Sequence, residues 1–130
     1  MSTEQIFLYL IIFLIVYYIA RKIYLFKSIK QYSPIELMNK LKKDNSAILL
    51  DVRTPLERKQ DYIKGSYHVP LYELNKENKE LLKFKEKEII CYCRTGNRSL
   101  TAASKLKKMG FNSANLSGGI LRWNLAKAKK

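Results

Sequence analysis

The residues able to do chemistry are Cys93-Arg94-Thr95-Gly96-Asn97-Arg98-Ser99, which follow directly on the apolar run Ile89-Ile90-Cys91-Tyr92. This arrangement sets a thiol at the end of a buried strand. In an open α/β sheet, ligands collect beyond the carboxyl ends of the strands. The residues after Cys93 are small or turn-forming, so their N–H groups can aim at one centre. The start of a following helix adds its positive end, and such a nest attracts an anion. A sulfur anion on Cys93 suits that place, and Arg94 and Arg98 add positive charge. The setting predicts a Cys93 pKa below the usual thiol value and a nucleophilic sulfur. The same donors could hold the outer sulfur of a persulfide or an incoming sulfur oxyanion.

Composition removes most other chemistries. The chain has 130 residues with 25 Lys+Arg, 11 Asp+Glu, two Cys and one His. That length fits one domain plus a targeting segment. A single His excludes a multi-His metal site and weakens any Cys–His or Ser–His mechanism. The two cysteines, spaced Cys91-Tyr92-Cys93, do not form a disulfide framework. Residues 91 and 93 share a strand face; Cys91 reads as a packed thiol, with a resolving thiol as the alternative. His68 reads as a packing residue. The net charge of +14 is consistent with an anionic partner or surface. No zinc-finger spacing, aromatic-plus-basic RNA signature or basic helix accompanies it, so no nucleic-acid partner is expected.

The elements that must position the loop follow from pattern. Ser33-Pro34-Ile35-Glu36 is a capped helix start with Pro at the first helical position, and that helix should stop near Asp44-Asn45. Residues 47–52 and 88–93 are near-continuous apolar runs, as in strands buried on both faces. Residues 56–60 suit a short helix, 67–69 a short strand, 73–83 a helix, 98–109 a helix stopped by Gly110, and 113–116 a last strand. Trp123 and the Gly118-Gly119 pair read as packing and turn features. Strands alternating with helices predict an α/β domain with a mainly parallel sheet.

The amino-terminal region is a different population. Residues 6–20 carry no charge and make about 22 Å of helix. Ile23-Tyr24-Leu25-Phe26 extends the run past Arg21 and Lys22, whose stems can snorkel. Residues 5–26 are therefore expected to form one transmembrane helix, and 27–32 a linker before a domain at 33–127. A cleaved signal is the rival, but the segment before the run has no Lys or Arg, and Arg-Lys follows Ala20. Arg21, Lys22, Lys27 and Lys30 lie after the span. The expected placement is thus single-pass in the cell membrane, amino terminus outside, with the carboxy-terminal domain in the reducing cytoplasm.

At the Cys93 loop the chain resembles the rhodanese family of sulfurtransferases. Leu50-Asp51-Val52-Arg53 with Glu57, Ile63-Lys64-Gly65-Ser66 through His68-Val69-Pro70, and Leu116-Ser117-Gly118-Gly119 with Trp123 resemble three further signatures of that family, in order. The resemblance spans about residues 33–126, with Asp61-Tyr62 where the family often has Gly-His. It implies a three-layer α/β domain with about five parallel strands. Cys93 would be the nucleophile and persulfide carrier, and Arg94, Thr95, Gly96, Asn97 and Arg98 its cradle. Asp51 and Arg53 would be orienting or structural residues near the loop. The implied reaction takes sulfur from a small anionic donor such as thiosulfate to a thiol or protein acceptor, with no metal and no organic cofactor. Two alternatives stay open. One is a Cys-based phosphatase or arsenate reductase, whose loops resemble Cys-x5-Arg where this chain has Cys-x4-Arg. The other is a non-catalytic module that recruits a partner.

Overall fold

The computed structural model describes residues 1–43 and 45–129. Helix α1 (Thr3–Ser28) opens with a capping box, the Ser2 hydroxyl accepting from the Gln5 N–H and the Gln5 side chain accepting from the Ser2 N–H. It leads through Ile29 into strand β1 (Lys30–Tyr32). Then come α2 (Pro34–Lys43), β2 (Ala47–Asp51), α3 (Pro55–Gln60) and β3 (Tyr67–His68). Two 3-10 turns (Leu71–Glu73 and Lys79–Phe84), β4 (Glu88–Tyr92), α4 (Asn97–Lys108), β5 (Asn112–Leu116) and α5 (Gly119–Ala128) complete the chain.

The five strands are all parallel in the order β1-β5-β4-β2-β3. In the centre, Ile48 of β2 is in register with Ile89 of β4, and Ile90 of β4 with Ala114 of β5. Alternation along β4 separates the two cores. Ile89, Cys91 and then Cys93 face a cluster with Leu50, Val52, Leu100, Ala103 and Leu106. Ile90 and Tyr92 face Leu37, Leu49, Ile120 and Trp123. Helix α4 covers the first face, and α2 and α5 cover the second, giving three layers.

Several expectations change. The segment expected to be a linker, 27–32, holds the end of α1 and the edge strand β1, whose Gln31 is in register with Asn115. Leu25 and Ile29 are buried in the α4-side core, so the packed unit begins before residue 33. The first helix also runs beyond 5–26 at both ends. The helix expected over 73–83 is absent. The Asn75 side chain accepts from the Glu77 N–H and the Asn78 side chain from the Glu80 N–H, and such local bonds divert the backbone from a helix. A helix, α5, starts at the second glycine of the pair at 118–119. The last described residue of α2 is Lys43; Asp44, near its expected stop, lies outside the described residues.

Helix α1 has two parts. From Ile6 to Ile19 every side chain is exposed. Over its last three turns, Tyr18, Arg21, Lys22, Leu25 and Ser28 recur at three- and four-residue spacing, which makes one stripe. Lys22 Nζ donates to Asn97 Oδ1 at 2.6 Å, and Lys107 Nζ donates to the Ser28 carbonyl at 2.9 Å.

Candidate functional site

Strand β4 carries Cys93 out at its carboxyl end, and the chain must turn at once into α4. Gly96 makes that turn with φ +102°, a conformation open to glycine. A Cβ there would also lie 3.2 Å from the Gly118 nitrogen. The turn aims donors at the sulfur. The Gly96 N–H donates to Cys93 Sγ at 3.1 Å, and Ser99 Oγ lies 3.3 Å from it. Burial opposes ionisation of Cys93, which is 1% exposed. The Ser99 hydroxyl and the Ser99, Gly96 and Thr95 N–H groups outweigh that burial and hold the thiol below its ordinary pKa. Cys91 has no such donors. Burial, and then the charge of Cys93, push its pKa up, and it packs wholly within the core.

A second layer fixes the loop from behind. The Ile120 N–H donates to the Cys93 carbonyl at 2.9 Å, and the Leu121 N–H to the Arg94 carbonyl at 3.3 Å. The first turn of α5 is thus bonded to the Cys93 loop. Gly119 allows the approach: its Cβ would stand 2.3 Å from the Arg94 carbonyl oxygen and 2.5 Å from that of Cys93.

Ser99 joins the loop to the sheet. Its hydroxyl lies 2.6 Å from Asn115 Oδ1, while Asn115 Nδ2 donates to Gln31 Oε1 at 3.0 Å and to the Gly96 carbonyl at 3.3 Å. These two acceptors set the Asn115 amide with its oxygen toward Ser99. One hydroxyl has one proton, so Asn115 and Cys93 compete for it, and negative charge on sulfur favours donation to Cys93. Ser99, Asn115, Gln31 and the first turn of α5 all lie outside the residues expected to form the cradle. Ser99 ends the Cys93 stretch and the start of α5 lies in the signature at 116–119, whereas Asn115 and Gln31 have no local sequence signal.

The expected cradle residues take different positions. Thr95 and Gly96 present N–H groups to the sulfur. Asn97 starts α4 and accepts from Lys22. Arg94 is exposed, and its backbone carbonyl is what α5 engages. Arg98 points both terminal nitrogens at Glu57, at 2.6 and 2.8 Å. That pair holds the Glu57 carboxyl at about 2, Arg98 being the main cause, and raises Arg98. Arg98 therefore acts near the sulfur as a partly neutralised charge.

Asp51 and Arg53 stand on the other side of the sheet. Asp51 alternates with Leu50 and Val52, which face the Cys93 side. Its carboxylate accepts from Arg53 Nε and Nη2, both at 2.9 Å, and from Arg58 Nη1 at 3.3 Å. Burial raises its pKa, and Arg53 more than offsets this, leaving a carboxylate. Arg53 also donates to the Asp61 carbonyl at 2.6 Å, and Arg58 lies 4.2 Å from the centre of the Tyr62 ring. Asp61 and Tyr62, the pair that departs from the family pattern, thus close this cluster. His68 Nε2 sits 2.8 Å from the Arg53 carbonyl. Among the described residues, no hydrogen bond links the Asp51–Arg53 pair to Cys93.

Comparison with known proteins supplies the wider context. The family model described as the rhodanese-like domain matches residues 33–126. A protein of Allochromatium vinosum named sulfurtransferase is 32% identical over 88 residues, covering 67% of this chain and 80% of that one. The crystal structure of a rhodanese-like domain protein from Staphylococcus aureus superposes with a TM-score of 0.65 at 28% identity, covering 73% of this chain and 91% of that one. The thiosulfate sulfurtransferase from Pseudomonas aeruginosa gives a TM-score of 0.69 at 26% identity, over 78% of this chain and 20% of its own. The chain spans 66% of a mitochondrial relative from Schizosaccharomyces pombe and 49% of a relative from Synechocystis.

Proposed function

The chain belongs to the rhodanese-like domain family, and from that premise we propose that it is a sulfurtransferase carrying sulfane sulfur as a persulfide on Cys93. The observation that carries this reading is the ring of N–H and O–H donors around one sulfur at the end of β4. In the loading step, the Cys93 thiolate attacks the outer sulfur of thiosulfate. The Cys93 S–S bond forms, the S–S bond of thiosulfate breaks, and sulfite leaves with the electron pair. In the unloading step, a thiophile such as cyanide or a thiolate attacks the terminal sulfur and Cys93 leaves as thiolate. Each step is a displacement with no net oxidant, and the two give ping-pong kinetics. Residues Thr95, Gly96 and Ser99 hold the negative sulfur in both resting forms. The arginine five residues on, Arg98, is committed to Glu57. This favours sulfur transfer over phosphoryl chemistry, where a free guanidinium would grip three equatorial oxygens.

Helix α1 is read as the membrane anchor. The part of it before Arg21, from Thr3, makes about 27 Å of helix against a hydrocarbon core of about 30 Å, and the last turns pack on the domain. Its apolar side chains from Ile6 to Ile19 are exposed. The basic residues after the span favour a cytoplasmic domain. The test uses the full chain in nonionic micelles. Thiosulfate should add about 32 Da to the protein, one sulfur on Cys93, and cyanide should remove it as thiocyanate. Failure of thiosulfate and of other sulfane donors to add sulfur would end this reading.

A further inference from the structure

The carboxyl ends of β2 and β3 and one flank of α4 enclose a cavity of about 530 Å³. Val52 and Thr54 follow β2, and Pro70 follows β3, so the cavity sits where an open parallel sheet places its ligands. It adjoins the Cys93 loop through Arg98, one residue before Ser99, and through Val52, which shares the apolar cluster with Cys93. Its remaining wall comes from α1, which supplies Arg21. On the other flank of α4, Lys22 of the same helix lines a second cavity with Thr95, Gly96 and Asn97. The end of α1 therefore lines both cavities beside the loop. It is held there by Leu25 and Ile29 in the core and by the Lys22–Asn97 and Lys107–Ser28 bonds.

The charges in the larger cavity are unequal. Arg98 is tied to Glu57. Arg21 and Lys105 make no ion pair among the described residues. Two cations without carboxylate partners, beside the hydroxyl of Thr101, make a site for a small anion in a partly enclosed space, whereas the Thr54 hydroxyl is taken up by Glu57. One of the two belongs to the helix read as the anchor, outside residues 33–126.

We propose that Arg21, together with Lys105, seats the anionic sulfane-sulfur donor that loads Cys93, so that the last turns of α1 are part of the substrate site as well as a tether. This rests on Cys93 being the persulfide carrier. In the seat, the anion's oxygens face Arg21 and Lys105; Cys93 does not itself line the cavity, and the outer sulfur reaches it past Val52 and Arg98, which do. The displacement then proceeds as above, with the sulfite dianion leaving past the same two cations.

The test separates this seat from the sulfur chemistry by using two alkylating agents with the same leaving group. Iodoacetate is anionic and iodoacetamide is neutral; each forms a Cys93–carbon bond and releases iodide. Site-resolved mass spectrometry of the full chain in nonionic micelles gives the two rates at Cys93. Arg21→Gln and Lys105→Gln should each lower the iodoacetate-to-iodoacetamide rate ratio about three- to tenfold, leaving the iodoacetamide rate within about twofold. Both should raise the KM for thiosulfate more than they lower kcat. Arg21→Lys should keep the ratio, and Lys127→Gln, on the far side of the domain, should not move it. An unchanged ratio and an unchanged KM in both Gln variants would overturn the proposal. A falling ratio in a protein that takes no sulfur from thiosulfate would keep the anion seat and overturn the sulfur donor as its occupant.

Discussion

Two polar centres sit at the carboxyl ends of neighbouring strands. At the end of β2, Asp51, Arg53 and Arg58 satisfy one another, with Asp61, Ser66 and Tyr92 closing the remaining positions. At the end of β4, Cys93 is met by backbone N–H groups and one hydroxyl. The first centre has matched charges and nothing left to offer a ligand. The second is a set of donors without an opposing carboxylate, so the anion they stabilise is the sulfur itself. Side-chain ion pairs make a buried structural joint, whereas oriented backbone dipoles make a reactive one.

That contrast can be broken in order of effect. Cys93→Ser should abolish sulfur uptake and turnover, while Cys91→Ser should keep both; intact mass after thiosulfate treatment reads the difference. Next is Gly119→Ala, whose Cβ would meet the Arg94 and Cys93 carbonyls at 2.3 and 2.5 Å. It should displace the loop and reduce kcat/KM by about a hundredfold or more, through misplaced reacting groups. Asp51→Asn should lower stability by about 3 kcal/mol, because it leaves the buried Arg53 with only the longer contact to the exposed Asp61 carboxylate. Urea unfolding measures this, and the pH midpoint for Cys93 alkylation should stay in place.

Smaller effects separate the sulfur from the ion pair beside it. Ser99→Ala should move the Cys93 titration up and lower the iodoacetamide rate near neutral pH about three- to tenfold. The rate rises with pH because the thiolate is the nucleophile, so the wild type reaches its plateau at lower pH than the variant. The smallest effect belongs to Glu57→Gln. Its ion pair is partly exposed, with side-chain exposures of 38% for Arg98 and 27% for Glu57, so its contribution after solvent screening is at most about 1 kcal/mol. The Glu57 carboxyl is held at about 2 in the folded chain against an ordinary 4.5. Its contribution is therefore present above pH 4.5 and lost as pH falls through about 2. Unfolding free energies of the wild type and Glu57→Gln should differ near neutrality and converge toward pH 2.

Contiguous residues made much of the site legible. Cys93 through Ser99 lie in one stretch, and an apolar run ending in Cys before a Gly-containing turn encodes both the strand and the nest. Strand β1 was hidden because three residues after a long helix show no periodicity; its place is set by pairing with β5, far along the chain. The same distance hid Asn115 and Gln31, which meet Ser99 only across the sheet edge. Asp51 and Arg53 lie two residues apart in a family-like signature, yet their orientation depends on which face of β2 the apolar residues claim.

Local periodicity, turn chemistry and one short motif were enough to place the Cys93 thiol at a strand's end, the parallel α/β architecture and the long apolar helix. Packing settled what comes from further along the chain: Asn115 behind Ser99 and Gly96, Glu57 against Arg98, and the end of α1 against α4. Those outcomes depend on contacts between residues 16 to 79 positions apart. Distances of that kind are set by how helices pack on the sheet, and no local pattern encodes them.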